Sequence, residues 1–98
     1  MGEKVAFIGL GAMGGPMALN IIKKGTNLSV FDIETEKMEP HIKLGGIAGE
    51  SIKDTIKDAE IIVIMLPSTE NVKSVMTAED GVLNFVKPNT IVLDMSTI

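Results

Sequence analysis

Apolar residues arrive along this chain in short unbroken runs, each followed by a stretch where they recur every third or fourth position. KVAFIG, residues 4 to 9, is apolar from Val5 to Ile8 and stops at a glycine, which predicts a buried β-strand. From Met13 the period changes. Met13, Met17 and Ile21 stand four apart with Ala18 and Ile22 beside them, one face of a helix that Lys23, Lys24 and Gly25 close. Pro16 falls in the first turn, where the N–H it lacks has no helical partner. LSVFD predicts the second strand. ETEKMEPHIKLG carries Pro40 inside it, which predicts one or two irregular turns, and GGIAG has room for a very short strand. SIKDTIKDAE reads as a short helix capped by Ser51, with Asp54 three residues later. IIVIML is apolar throughout, as a strand covered on both faces must be. STENVKSVM predicts a helix capped by Ser68 or Thr69, and TIVLDMS a last strand.

Strand and helix thus alternate from end to end. The pattern predicts an α/β fold, a Rossmann-type doubly wound parallel sheet with helices on both faces, formed as a single domain over residues 1–98. A length of 98 residues and a hydrophobic fraction of 45% suffice for one core, without a separate substrate domain. The net charge of −4, spread without blocks, offers no positive surface for nucleic acid. No apolar run approaches the ~18 residues of a membrane span. The N-terminal stretch has an acidic residue early and glycines inside its apolar run, unlike a secretory signal. Ala6 stands where a myristoylation signal needs Ser or Thr. Cysteine is absent, so thiolate chemistry and disulfides are excluded, and a cytoplasmic setting is expected.

The chemistry concentrates between the first strand and the first helix. Gly9-Leu10-Gly11-Ala12-Met13-Gly14 is a GxGxxG run, a weak signal alone and a much stronger one where a strand ends and a helix begins. Gly9 permits the tight turn, Gly11 lets a pyrophosphate approach the backbone, and Gly14 brings the helix close to the sheet. The helix N-terminus then offers N–H groups and partial positive charge to the phosphates. No Gly-Lys-Ser/Thr follows, so a Walker-type loop is excluded. Asp32 ends the second strand 18 positions past Gly14, close to the roughly 20 expected of the carboxylate that binds the adenosine ribose hydroxyls. It would repel a 2′-phosphate, and Glu34 and Glu36 add to that repulsion. The chain has no arginine, and Lys37 is the only cation close by in sequence. NAD is therefore favoured over NADP. A plain strand-to-helix turn and a solvated turn aspartate are the competing readings of the two features.

With Asp32 placed, the whole chain resembles the NAD-binding domain of the β-hydroxyacid dehydrogenases, the family of 3-hydroxyisobutyrate dehydrogenase and tartronate semialdehyde reductase, related to 6-phosphogluconate dehydrogenase. FIGLGAMGGPMALNIIKKG resembles the family's cofactor signature, IMLPSTENV its second cofactor segment, and DMSTI the start of its substrate-binding signature. The resemblance implies that Leu66, Pro67, Asn71 and Thr97 contact the cofactor and that Ser96 helps hold the substrate carboxylate. Leu66 and Pro67 also lie at the carboxyl end of a strand, the edge where open α/β sheets bind ligands. It further implies hydride transfer from a 3-hydroxy acid to NAD, giving a semialdehyde, in a protein that forms a homo-oligomer when full length. The family's helical second domain, with its catalytic lysine, has no counterpart in these residues. No catalytic residue is expected in this chain, and alone it is expected to be inactive. A non-catalytic binding or interaction module built from the same domain is the alternative. Reductases of imines or keto acids are disfavoured, because their resemblance would not extend to the Ser-Thr pair of DMSTI.

The remaining chemistry-bearing residues read as structural. His41, the only histidine, lies between charges and is expected on the solvated surface rather than as a base, since a base needs an orienting partner. A transition-metal site lacks a second His or any Cys. Met13 and Met17 are expected to fill core beneath the glycine loop, and Phe7, Phe31 and Phe85 to lie in the core.

Overall fold

The computed structural model describes residues 4–66, 76, 82 and 86–95. The first apolar run forms β1 (Lys4–Ile8), and the helical face forms α1 (Gly14–Lys23). Then come β2 (Asn27–Phe31), a 3₁₀ turn (Thr35–Met38), α2 (Glu39–Lys43), β3 (Ile47–Ala48), α3 (Ile52–Ile56), β4 (Ile61–Ile64) and β5 (Ile91–Asp94). The five strands make one sheet in the order β3-β2-β1-β4-β5, every pair parallel. Apart from Met76, the helix predicted over STENVKSVM lies outside the described residues, as does Phe85.

Alternation along the strands builds two cores. Val5 and Phe7 of β1, Val30 of β2 and Val63 of β4 face one way and pack with Ala18 and Ile22 of α1. Ala6, Ile8, Ile62 and Ile64 face the other way and pack with Ile56 of α3 and with Val82. β4 reads as continuously apolar because both its faces are covered; each such side chain, fully buried, contributes about 1.5–3 kcal/mol. α1 ends where its sequence says it should. Gly25 adopts φ +89°, and its N–H donates to the Ile22 carbonyl at 2.9 Å. α3 is capped as expected, Ser51 Oγ accepting from the Asp54 N–H at 3.0 Å. The Asp54 carboxylate reaches back to the Glu50 N–H at 3.0 Å. No helix among the described residues is long and apolar enough to cross a membrane.

Two expectations are corrected. His41 is buried, with 2% of its surface exposed. The 3₁₀ turn and α2 place Met38 and His41 three apart on one inward face, and Pro40 stands in the first turn of α2, so the irregularity does not turn His41 outward. Burial is tolerated because the ring has a carbonyl acceptor for its N–H: Nε2 lies 2.9 Å from the Gly15 carbonyl oxygen and Nδ1 3.2 Å from that of Lys37. The imidazole therefore ties α2 to the first turn of α1. Met13 is also misassigned by its spacing: it is 60% exposed, because it sits at the N-cap of α1, before the helix turns its apolar face inward. Met17 does pack against the first core, and Phe31 packs partly buried against the second, while Phe7 is fully buried.

At the far side of the sheet, Lys87 pairs with Asp58 and joins the turn before β4 to the turn before β5. The Lys87 hydrogen bond, then its charge, holds the Asp58 carboxyl below its ordinary value. A carboxyl lowered on folding stabilises above its unfolded pKa, and that contribution is lost as pH falls through the folded value. Thermal unfolding followed by circular dichroism should therefore show a small Asp58→Asn loss at neutral pH that vanishes in strong acid and shrinks in high salt. His41→Leu, which removes the ring's hydrogen bond to a backbone carbonyl, should cost about 1–3 kcal/mol in urea unfolding.

Candidate functional site

The chain runs from β1 outward to β2 and β3, then returns to the other side of β1 for β4 and β5. The carboxyl ends of β1 and β4 therefore flank the point where the winding direction reverses, the place where such sheets leave a ligand crevice. A cavity of about 500 Å³ opens there. The β1–α1 loop lines it with Gly9, Gly11, Ala12, Met13 and Gly14. Asp32, Ile33, Glu34 and Lys37 form the wall beyond β2, and Met65 and Leu66 the wall beyond β4.

Three glycines of the loop have three different reasons to be glycine. Gly9 sits at φ +100°, and a Cβ there would overlap the Met65 carbonyl oxygen. A Cβ on Gly14 would overlap the Gly9 carbonyl oxygen. These two are required by the fold. Gly11 is not: a Cβ there would meet nothing within 4 Å, only the open cavity. The absent side chain at Gly11 leaves backbone bare toward the cavity and serves no internal packing. The N-terminus of α1 points the same way. No side chain caps it and no acidic residue stands in its first turn, so its dipole is not offset by a capping carboxylate, although the Gly15 N–H already donates to the Gly11 carbonyl at 2.9 Å. This arrangement suits a phosphate-bearing ligand.

Asp32, half-buried, joins the β1–α1 loop to the wall beyond β2. Its Oδ2 accepts from the Leu10 N–H at 2.8 Å, and its Oδ1 accepts from the Glu34 N–H at 2.9 Å. One carboxylate thus pins the glycine loop to the turn after β2. Each oxygen keeps a further lone pair for a ribose hydroxyl. Leu10 itself does not line this cavity; its side chain is buried in the first core and its contribution is that amide. Glu34 in turn pairs with Lys37 at 2.6 Å. Of the residues the sequence singled out for a cofactor, the cavity brings together Gly9, Gly11, Ala12, Met13, Gly14, Asp32 and Leu66. Pro67, Asn71, Ser96 and Thr97 lie outside the described residues. Sequence reasoning missed Ile33, which is 87% exposed on the cavity wall, and Met65. An isoleucine directly after the strand-ending aspartate was the available signal, since the core had no place for it. Among the described residues no cluster of His, Asp and Glu fit to hold a metal is found.

These features define a dinucleotide-binding α/β domain. Residues 4–98 match the NAD binding domain of 6-phosphogluconate dehydrogenase, and the chain belongs to that family. It is 46% identical over 96 residues to a probable mitochondrial 3-hydroxyisobutyrate dehydrogenase of Dictyostelium discoideum, covering 98% of this chain and 30% of that protein. It is 38% identical over 96 residues to an NAD-dependent L-serine dehydrogenase of Pseudomonas aeruginosa, covering 98% of this chain and 32% of that protein. Among solved structures, the 3-hydroxyisobutyrate dehydrogenase of Mycobacterium tuberculosis with L-serine superposes with a TM-score of 0.90 at 32% identity, over 100% of this chain and 33% of that one. The chain spans about a third of the length of the relatives it matches, and those relatives are hydroxy acid dehydrogenases, as the motifs implied.

The three glycines should separate cleanly under substitution. Gly9→Ala and Gly14→Ala each force backbone overlap and should abolish folding or cost more than about 3 kcal/mol in urea unfolding. Gly11→Ala should leave stability unchanged or raise it by up to about 1 kcal/mol, because it only restricts the unfolded chain.

Proposed function

We propose that this chain is the NAD-binding part of a dehydrogenase that oxidises a 3-hydroxy acid to a semialdehyde. The observation that carries the reading is Gly11, a glycine with no internal reason to be one, set between an uncapped helix N-terminus and a carboxylate held by two backbone amides. The residues fit the dinucleotide part by part. The loop from Gly9 to Gly14 takes the pyrophosphate against bare backbone, and α1 stabilises its charge. Asp32 accepts from the adenosine ribose hydroxyls with the lone pairs its backbone bonds leave over. Ile33 and Leu66 offer apolar surface on opposite walls, suited to the flat rings. When bound, NAD supplies the hydride acceptor for oxidation at the hydroxyl-bearing carbon. Pro67, Asn71 and Thr97 would extend the cofactor contacts, and Ser96 would donate to the substrate carboxylate, as the motifs they stand in imply.

NAD is favoured over NADP on this reading, since Asp32 and Glu34 both face the region a 2′-phosphate would enter. The names of the relatives support a small hydroxy acid as substrate. The hydroxyl proton needs an acid–base group, and none of the described cavity residues is placed as one; a lysine on a second, helical domain beyond these 98 residues would serve. A positioned general base contributes typically 10²–10⁴-fold, and orientation in a closed pocket contributes more. The 98 residues alone should therefore bind NAD without oxidising 3-hydroxy acids.

Isothermal calorimetry tests the reading. NAD should bind the chain, and Gly11→Val should weaken it at least tenfold, about 1.4 kcal/mol, with the circular dichroism spectrum unchanged. Undiminished affinity in a folded Gly11→Val variant would overturn the assignment, and measurable NADH formation from a 3-hydroxy acid by these 98 residues would overturn the division of labour.

A further inference from the structure

The start of α1 is the part of the cradle least able to hold itself. Gly14 and Gly15 open the helix, and glycine is the poorest helix former short of proline. No side chain caps it. Its first turn nevertheless has to stay wound, because phosphates would meet the backbone there. Behind that turn stands His41 of α2, buried, with Nε2 at 2.9 Å from the Gly15 carbonyl oxygen and Nδ1 at 3.2 Å from that of Lys37. Both neighbours are acceptors, and a neutral imidazole has one N–H to give. On Nδ1 the proton would serve only the turn in which His41 itself stands, four residues back. On Nε2 it joins α2 to α1 across 26 residues of chain, over the shorter of the two distances.

We propose that His41 is a positioning residue for the dinucleotide cradle, its ring carrying the proton on Nε2 and donating it to the Gly15 carbonyl. This assignment rests on the dinucleotide reading and extends it from the cradle to the residue that keeps the cradle wound. Gly15 passes the constraint on in two ways. Its own N–H donates to the Gly11 carbonyl at 2.9 Å. It also lies so near Leu10 that a Cβ would meet the Leu10 carbonyl oxygen at 3.0 Å. Gly11 lines the ligand cavity, and the Leu10 N–H is the one that Asp32 holds. Gly11 and Ala12 also line a second, smaller hollow together with His41, so the same short loop stands between the imidazole and the ligand. His41 itself does not line the ligand cavity; it acts through Gly15. Burial strengthens its hydrogen bond by excluding competing water. A first turn wound before the ligand arrives removes part of the ordering cost of binding.

Amide side chains separate the two ring nitrogens. The amide nitrogen of Gln can stand where Nε2 stands, whereas the shorter Asn reaches only the place of Nδ1. The test is a calorimetric titration of NAD into the wild-type chain, His41→Gln, His41→Asn, His41→Leu and Ile56→Val, the last of which loosens the core on the opposite face of the sheet. Urea unfolding of each variant separates lost stability from lost affinity. His41→Gln should bind NAD within about twofold of wild type, and His41→Asn and His41→Leu about three- to tenfold more weakly, the range of one net hydrogen bond. Ile56→Val should lose stability and keep its affinity. Nitrogen NMR of the neutral imidazole in the wild-type chain should place the proton on Nε2. A proton on Nδ1, wild-type affinity in folded His41→Asn, a His41→Gln variant as weak as His41→Asn, or an Ile56→Val affinity that falls with its stability overturns this proposal while leaving the dinucleotide reading intact. Failure of the wild-type chain to bind NAD overturns both.

Discussion

The structure depends on one close approach of backbone to backbone. The turn out of β1 passes so near the end of β4 that Gly9 has no space for a Cβ beside the Met65 carbonyl, and α1 starts so near that turn that Gly14 has none beside Gly9. That approach lets α1 lie on the sheet with Ala18 and Ile22 against Phe7 and Val63. It also decides where the cavity is. A bulkier loop would push α1 away from the sheet, so the helix N-terminus would no longer stand at the carboxyl ends of the strands. Packing and ligand geometry therefore share a cause: the glycines that close the core are those that aim the helix dipole.

Asp32 couples this cradle to the rest of the domain. A carboxylate that only read ribose would have no need to hold Leu10 and Glu34. Holding them makes the glycine loop and the turn after β2 one unit, so a ligand would meet a preformed site with little ordering left to do. His41 reinforces the unit from behind, bonding the Gly15 carbonyl in α1 from its place in α2. Two polar side chains, one half-buried and one buried, thus hold the backbone at Leu10 and at Gly15, where the loop passes into α1.

How much of this was legible depends on whether the deciding force acts along the chain or across it. The strands were readable because apolar runs such as IIVIML have one way to be buried twice, and the cap of α3 was readable because Ser51 and Asp54 satisfy each other locally. The place of Asp32 beside the glycine loop was readable from its distance to Gly14. His41 was not: its partners are Lys37, four residues away, and Gly15, 26 residues away, and a histidine flanked by charges gives no sign of the second. Met13 was misread because helical periodicity was extended one turn too early, to a residue the helix only caps. Ile33 was passed over because an exposed apolar side chain is ordinary on most surfaces; the cavity beside it makes it informative. Pro67, Asn71, Ser96 and Thr97 rest on motif resemblance, outside the described residues.

The residues that hold the fold and the charged residues on the turn after β2 are separable sets. The glycine loop, Asp32 and the two cores determine that a dinucleotide has somewhere to lie, and altering them risks the fold, because Gly9, Gly14 and the Leu10 amide are fastened to buried structure. Glu34 and Lys37 sit on an exposed 3₁₀ turn whose one buried residue is Met38, and changing them disturbs no core contact. A domain built this way keeps its glycine loop fixed by buried structure, while the charges on the turn after β2 can vary at little cost in stability.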